Sequence, residues 1–142
     1  SVDGMEISVG NSIFTVPISN IRQSFKVAAE DVIYDASGNE IIRCMDEFYP
    51  IIRLHSLYGI YDDACTNIED GILMWVEANE KSFCLFVDSL LGEQQVVVKP
   101  LPAYLNNFGI KEYGISGCTI LGDGNISIIL DIASIYSAVV HS

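Results

Sequence analysis

The sequence is poor in positive charge: seven Lys and Arg face nineteen Asp and Glu, for a formal net charge of −12 at pH 7. Such a chain repels phosphate backbones and anionic lipid headgroups, so nucleic acid is excluded as an expected partner. Long apolar runs are missing too. Half of the 142 residues are hydrophobic, yet Asp, Lys, Asn or Gly interrupts each run short of the roughly 18–20 residues a membrane span needs. No direct membrane insertion is expected. No basic and apolar leader opens the chain, which makes a cytoplasmic location the expectation. Cys44, Cys65, Cys84 and Cys118 stand singly, with no Cys-x-x-Cys pair and with His55 and His141 distant in sequence. Reduced structural thiols are therefore expected in place of a zinc site or disulfides.

The usual signatures of catalysis are also absent. There is no Gly-x-Ser-x-Gly elbow and no Gly-rich phosphate loop followed by Lys. Asp88, Glu93 and Asp131 are isolated carboxylates. The Gly122-Asp123-Gly124 run lacks the ligand series and closing Glu of a calcium loop and suits a tight turn. His55 with Ser56, or His55 with Asp88 and a serine, can be written as a triad, which leaves a small β-barrel hydrolase or ligand binder as a distant alternative. The expectation is a binding module with no enzyme activity, no cofactor and no metal.

What is present is a β pattern. Met5, Ile7 and Val9 alternate with Glu6 and Ser8, Gly10-Asn11 turns the chain, and residues 13–16 return as a hairpin partner ending at Pro17. Extended chain follows from Ile21 to Val27, then a helical turn at 28–31, and strands at 33–34, 41–45 and 50–54. Residues 55–58 suit a helical turn ending at Gly59. From Gly71 the pattern restarts with strands at 72–78 and 81–88 around the Asn79-Glu80 turn. A corner at Gly92-Glu93-Gln94-Gln95 leads to a strand at 96–99, and residues 103–113 look irregular. A strand over 114–121, the Gly122–Asn125 turn, a return strand over 126–130 and a short helix capped by Asp131 complete the chain. About ten short strands with no helix long enough to cover a parallel sheet indicate an all-β barrel class. The acidic stretch 62–70 suggests one domain over 1–142 with halves near 1–62 and 71–142, the terminal segments being free to cross between them.

The period-2 rule also suggests a surface. Arg43 shares a face with Ile41 and Met45, and Arg53 shares one with Ile51. An unpaired Arg is rarely buried, so that face is expected outside, exposing Ile41, Met45 and Ile51 beside two cations as an apolar docking patch.

Three blocks carry a family resemblance: Arg53-Leu54-His55-x-Leu57-x-Gly59-Ile60; Val87-Asp88-x-Leu90-Leu91-Gly92-x-Gln94-Gln95-Val96-Val97-x-Lys99; and Gly117-x-x-Ile120-Leu121-Gly122-Asp123-Gly124-x-Ile126-x-x-Ile129-Leu130-Asp131-Ile132. In order and spacing they resemble the CheW-like domain, and the Arg-Leu-His-x-Leu form is most similar to the regulatory domain at the C-terminus of the chemotaxis histidine kinase CheA. The resemblance implies two intertwined five-stranded barrels of SH3-like topology, with Leu54, His55, Asp88, Leu91, Gly92, Gln94, Gln95, Lys99, Gly122, Asp123, Gly124 and Asp131 as structural motif residues. It implies a non-catalytic scaffold that binds a CheW-type coupling protein, chemoreceptor cytoplasmic tips and other domains of the same kinase chain, at membrane-associated receptor arrays. A freestanding CheW-type adaptor is the alternative. Where the family often has Arg-Gly at the turn before Pro50, this chain has Met45-Asp46, so contacts credited to that Arg do not transfer.

Overall fold

A computed structural model describes residues 1–103 and 114–140; the expectation for residues 103–113 lies, beyond Ala103, outside them, as does His141. Among the described residues eleven strands form two mixed sheets. The first has the order β10-β11-β2-β1-β9 and the second β3-β7-β8-β6-β5-β4. The strands are β1 Val2–Val9, β2 Ser12–Pro17, β3 Ile21–Phe25, β4 Ile33–Tyr34, β5 Glu40–Cys44, β6 Glu47–Arg53, β7 Ile72–Ala78, β8 Lys81–Val87, β9 Ser89–Val96, β10 Ile115–Ile120 and β11 Ile126–Leu130. Among the described residues, two short α-helices, α1 Leu54–Tyr58 and α2 Ile132–Ile135, sit at strand ends. Beyond β9, Lys99 pairs with Cys118 of β10 and draws the first sheet toward closure. The all-β barrel class expected from the pattern, and the SH3-like topology that the resemblance implied, are those observed.

The apolar runs of β7 and β8 are continuous because both of their faces are buried. Met74, Val76, Phe83, Leu85 and Val87 enter a core shared with Ile7, Val9, Phe14 and Val16 of the first sheet. Their alternate neighbours Leu73, Trp75, Cys84 and Phe86 enter a second core with Ile42, Cys44 and Ile68. Period-2 geometry thus sends successive residues into different cores and leaves no polar face to show in the sequence. The β7–β8 hairpin has the expected two-residue turn, with Asn79 and Glu80 both at positive φ (52° and 65°).

Two local expectations are corrected. Gly92 is not a corner: the chain turns at Asp88, and β9 runs through Gly92, which at φ 132° sits opposite Glu6 where the β1–β9 register slips. A strand glycine marks a bulge as readily as a turn. The strand placed at 96–99 ends at Val96, and Lys99 contributes only its bridge. The sheets interleave residues from both sides of the acidic stretch. Strands β3 to β8, on both sides of the acidic stretch, build one sheet, while β1 and β2 join β9 to β11 in the other. The parallel β11–β2 and β6–β8 pairings that interleave the segments are long-range and have no local sequence signal.

Candidate docking surface

The second sheet ends in the β4-β5-β6 meander. Its register sets Ile33 beside Ile41, Ile41 beside Pro50, and Arg43 beside Phe48, which places all five on one face. Pro50 fits here because pairing with β8 begins only at Ile51, so its missing N–H leaves no gap in that ladder. Ile33, Phe48 and Met45 are exposed (47%, 56% and 75%), and Ile41 is half-buried. Met45, at the β5–β6 turn, has φ 56°, a left-handed conformation unusual for a long side chain. Arg43 Nε donates to the Met45 carbonyl at 2.8 Å, and its Nη2 lies 3.5 Å from Asp46.

The expected outer position of Ile41, Arg43 and Met45 agrees with this surface, but that of Ile51 does not. Ile51 is buried in the second core, and Arg53 is partly covered with it. The premise that Arg53 is unpaired fails. Its Nε and Nη2 make a two-pronged ion pair with Glu40 at 2.7 and 3.0 Å, Nη1 donates to the Thr66 carbonyl, and the guanidinium lies over the Phe86 ring at 5.2 Å. Hydrogen bonding to Glu40 raises the Arg53 pKa further above its ordinary value. Phe48 joins this face because β6 begins at Glu47, ahead of the strand start expected at Pro50: the two-residue Met45-Asp46 turn pairs Arg43 with Phe48.

The first sheet carries further exposed apolar residues. Ile120 pairs with Ile126, the two 59% and 41% exposed, and Val97, 61% exposed, lies two residues before the Lys99–Cys118 bridge.

The motif residues divide into two groups. Leu54 is fully buried in the shared core. Asp88 is a knot: Oδ2 accepts from Gly10 N at 2.7 Å and Oδ1 from Cys65 N at 3.0 Å, which joins the β1–β2 turn, the 61–70 segment and the β8–β9 corner. Asp123 accepts from Asn125 N across the Gly122–Asn125 turn, where Gly124 has φ 89°, and Asp131 caps α2 by accepting from Ser134 N. By contrast Leu91, Gln94 and Gln95 are exposed on β9, so burial gives them no structural role.

His55 and Asp88 make no hydrogen bond or ion pair with each other among the described residues, and both Asp88 oxygens are already taken by amides. The triad has no geometry. His55 is 4% exposed, its ring edge-on to Tyr61 and Phe86 at 5.4 and 6.2 Å. Burial first, then the Arg53 cation, lower its pKa below the ordinary 6.5, against weaker opposition from Asp88 and Glu40. The unfolded chain protonates near 6.5 and the folded chain only at lower pH, so His55 keeps its full contribution to stability above 6.5 and loses it as pH falls below. Denaturant titrations from pH 7.5 to 5 should therefore show His55→Gln with a shallower fall in stability than wild type over the lower half of that range.

All four cysteines are free. Cys44 and Cys84 are in contact at 3.6 Å in the second core, and burial raises both thiol pKa values. No group of three or more His, Cys, Asp or Glu suited to a metal ion occurs among the described residues, and no helix there is long and apolar enough to cross a membrane.

The model of the CheW-like domain family matches residues 3–140. The chain is 31% identical over 134 residues to chemotaxis protein CheA of Klebsiella aerogenes and 32% identical over 134 residues to that of Treponema pallidum. These alignments cover 94% of this chain but 20% and 16% of the relatives, so the chain spans about a fifth or less of their length. Among solved structures, the scaffolding protein TtCheW from Thermoanaerobacter tengcongensis superposes with a TM-score of 0.73 at 16% identity, over 92% of this chain and 88% of that one. With its family model matched nearly end to end and its interleaved barrels shared, this chain belongs to the CheW-like domain family.

Proposed function

We propose that the chain is the regulatory scaffold domain of a chemotaxis histidine kinase. It docks a CheW-type coupling protein and chemoreceptor cytoplasmic tips at membrane-associated arrays, and passes receptor state to the kinase domains of its own chain. The CheW-like domain itself is non-catalytic. The similarity to a segment of CheA supports the kinase context, since that segment is a fraction of a much longer protein.

One observation carries the docking role: the exposed Ile33, Met45 and Phe48 around Arg43, an aromatic, Met and Arg composition enriched at protein interfaces. The exposed Ile120–Ile126 pair gives the other barrel a different face. Two unlike faces permit head-to-tail contacts, which close into rings when the rotation allows.

The test is calorimetric titration with the coupling protein of the same organism. Met45→Asp and Ile41→Asp should each weaken binding by about tenfold or more, as expected for a charge placed in a desolvated apolar contact, with the circular dichroism spectrum unchanged. Affinity equal to wild type for both variants overturns the assignment of this face. An ATP-binding region upstream in the open reading frame is expected; its absence would favour the freestanding adaptor.

A further inference from the structure

Arg43 sits at the centre of the exposed patch, where a cation would ordinarily be assigned to a partner's carboxylate. Its donors are aimed elsewhere. Nε donates to the carbonyl of Met45 at 2.8 Å, and Nη2 lies 3.5 Å from the Asp46 carboxylate, so one edge of the guanidinium is turned onto its own hairpin tip. That tip is where the backbone is under strain: Met45 holds φ 56° with no glycine to ease it, while its side chain is 75% exposed. A long apolar residue in the left-handed region costs about 1–2 kcal/mol, and such a conformation persists only where its surroundings impose it. Directly across the strand pair, Phe48 is exposed beside the Arg43 stem.

We infer that Arg43 is a positioning residue: its guanidinium clamps the strained Met45-Asp46 turn, and so presents the Met45 side chain beside Phe48 to the coupling protein. The inference rests on the docking role proposed above. It makes Arg43 irreplaceable by Lys, because an ammonium is a point charge and lacks the planar pair of donors that reaches both the Met45 carbonyl and Asp46. A cation acting directly on a partner carboxylate would instead tolerate Lys and would add a salt-dependent attraction.

The experiment measures affinity for the same coupling protein at two salt concentrations for Arg43→Lys, Arg43→Gln, Met45→Ala and the two double variants, with Met45→Asp as reference. Melting temperatures within about 4 °C of wild type exclude global damage. The expected result is that Arg43→Lys and Arg43→Gln weaken binding equally, by about fivefold to tenfold, the scale of one ordinary net hydrogen bond. Neither should weaken it further once Met45 is Ala, because each acts through that side chain, and the salt slope should match wild type. Near-wild-type affinity for Arg43→Lys, losses that add fully to Met45→Ala, or a reduced salt slope overturns the clamp. If Met45→Asp itself binds like wild type, the docking role of the face fails, and that result is distinguishable from failure of the clamp alone.

Discussion

Asp88→Ala should lower the free energy of unfolding by about 3 kcal/mol, since it strips two backbone amides of a charged acceptor in a partly buried joint. The amides are those of Gly10 and Cys65, and Asp88 N in turn donates to the Ser8 carbonyl at 2.9 Å. Nothing nearby can substitute without moving backbone. Gly10 has φ 58°, and a Cβ there would lie 2.6 Å from the Asp62 carbonyl oxygen, so the turn is pressed directly against the 61–70 segment. Asp88→Asn is expected to recover only part of the loss, because its amide group would face one of the two N–H donors with a donor of its own. Equilibrium urea unfolding measures both variants. A loss under about 1 kcal/mol for Asp88→Ala would show that water replaces the carboxylate at little cost.

Phe14→Ala should cost about 3–5 kcal/mol and should do so without splitting the transition. Phe14 is 2% exposed on β2 of the first sheet and stacks on Tyr58 of α1 at 5.3 Å. It lies in the same core as Phe83 and Leu85 of the second sheet. Because both sheets line that core, a cavity on one side loosens the other, and the barrels should melt together. Scanning calorimetry with the calorimetric and van't Hoff enthalpies in agreement is the expected outcome. Two resolved transitions in the variant would mean that each barrel is stable by itself and that the common core does little to couple them.

Local chemistry carried most of the fold into the sequence. The Gly10-Asn11, Asn79-Glu80 and Gly122–Asn125 turns, the β7–β8 hairpin and the Asp131 cap are all short-range, and each stands where the pattern put it. What stayed hidden depends on distant partners. Gly92 was ambiguous because a bulge and a turn ask for the same residue, and only the β1 partner decides between them. Ile51 was misplaced because the Glu40 carboxylate that lets Arg53 sit half-covered lies thirteen positions earlier, on another strand. The docking face was half visible: alternation found Ile41, Arg43 and Met45. Phe48 and Ile33 needed the inter-strand register, and so did the Ile120 and Ile126 pair. Leu91, Gln94 and Gln95 are exposed, and the family wording alone does not distinguish a packed position from a presented one.

The interleaving of the two sheets has a consequence for biosynthesis. Within this domain the β1–β2 hairpin leaves the ribosome before any other strand, yet its sheet neighbours are β9 at 89–96 and β11 at 126–130. Residues 21–87 must emerge, and can assemble around β6 to β8, before either neighbour exists. At ordinary translation rates the hairpin therefore waits on the order of 5–20 s with both flanks open, long enough for a chaperone or a neighbouring nascent chain to engage it first.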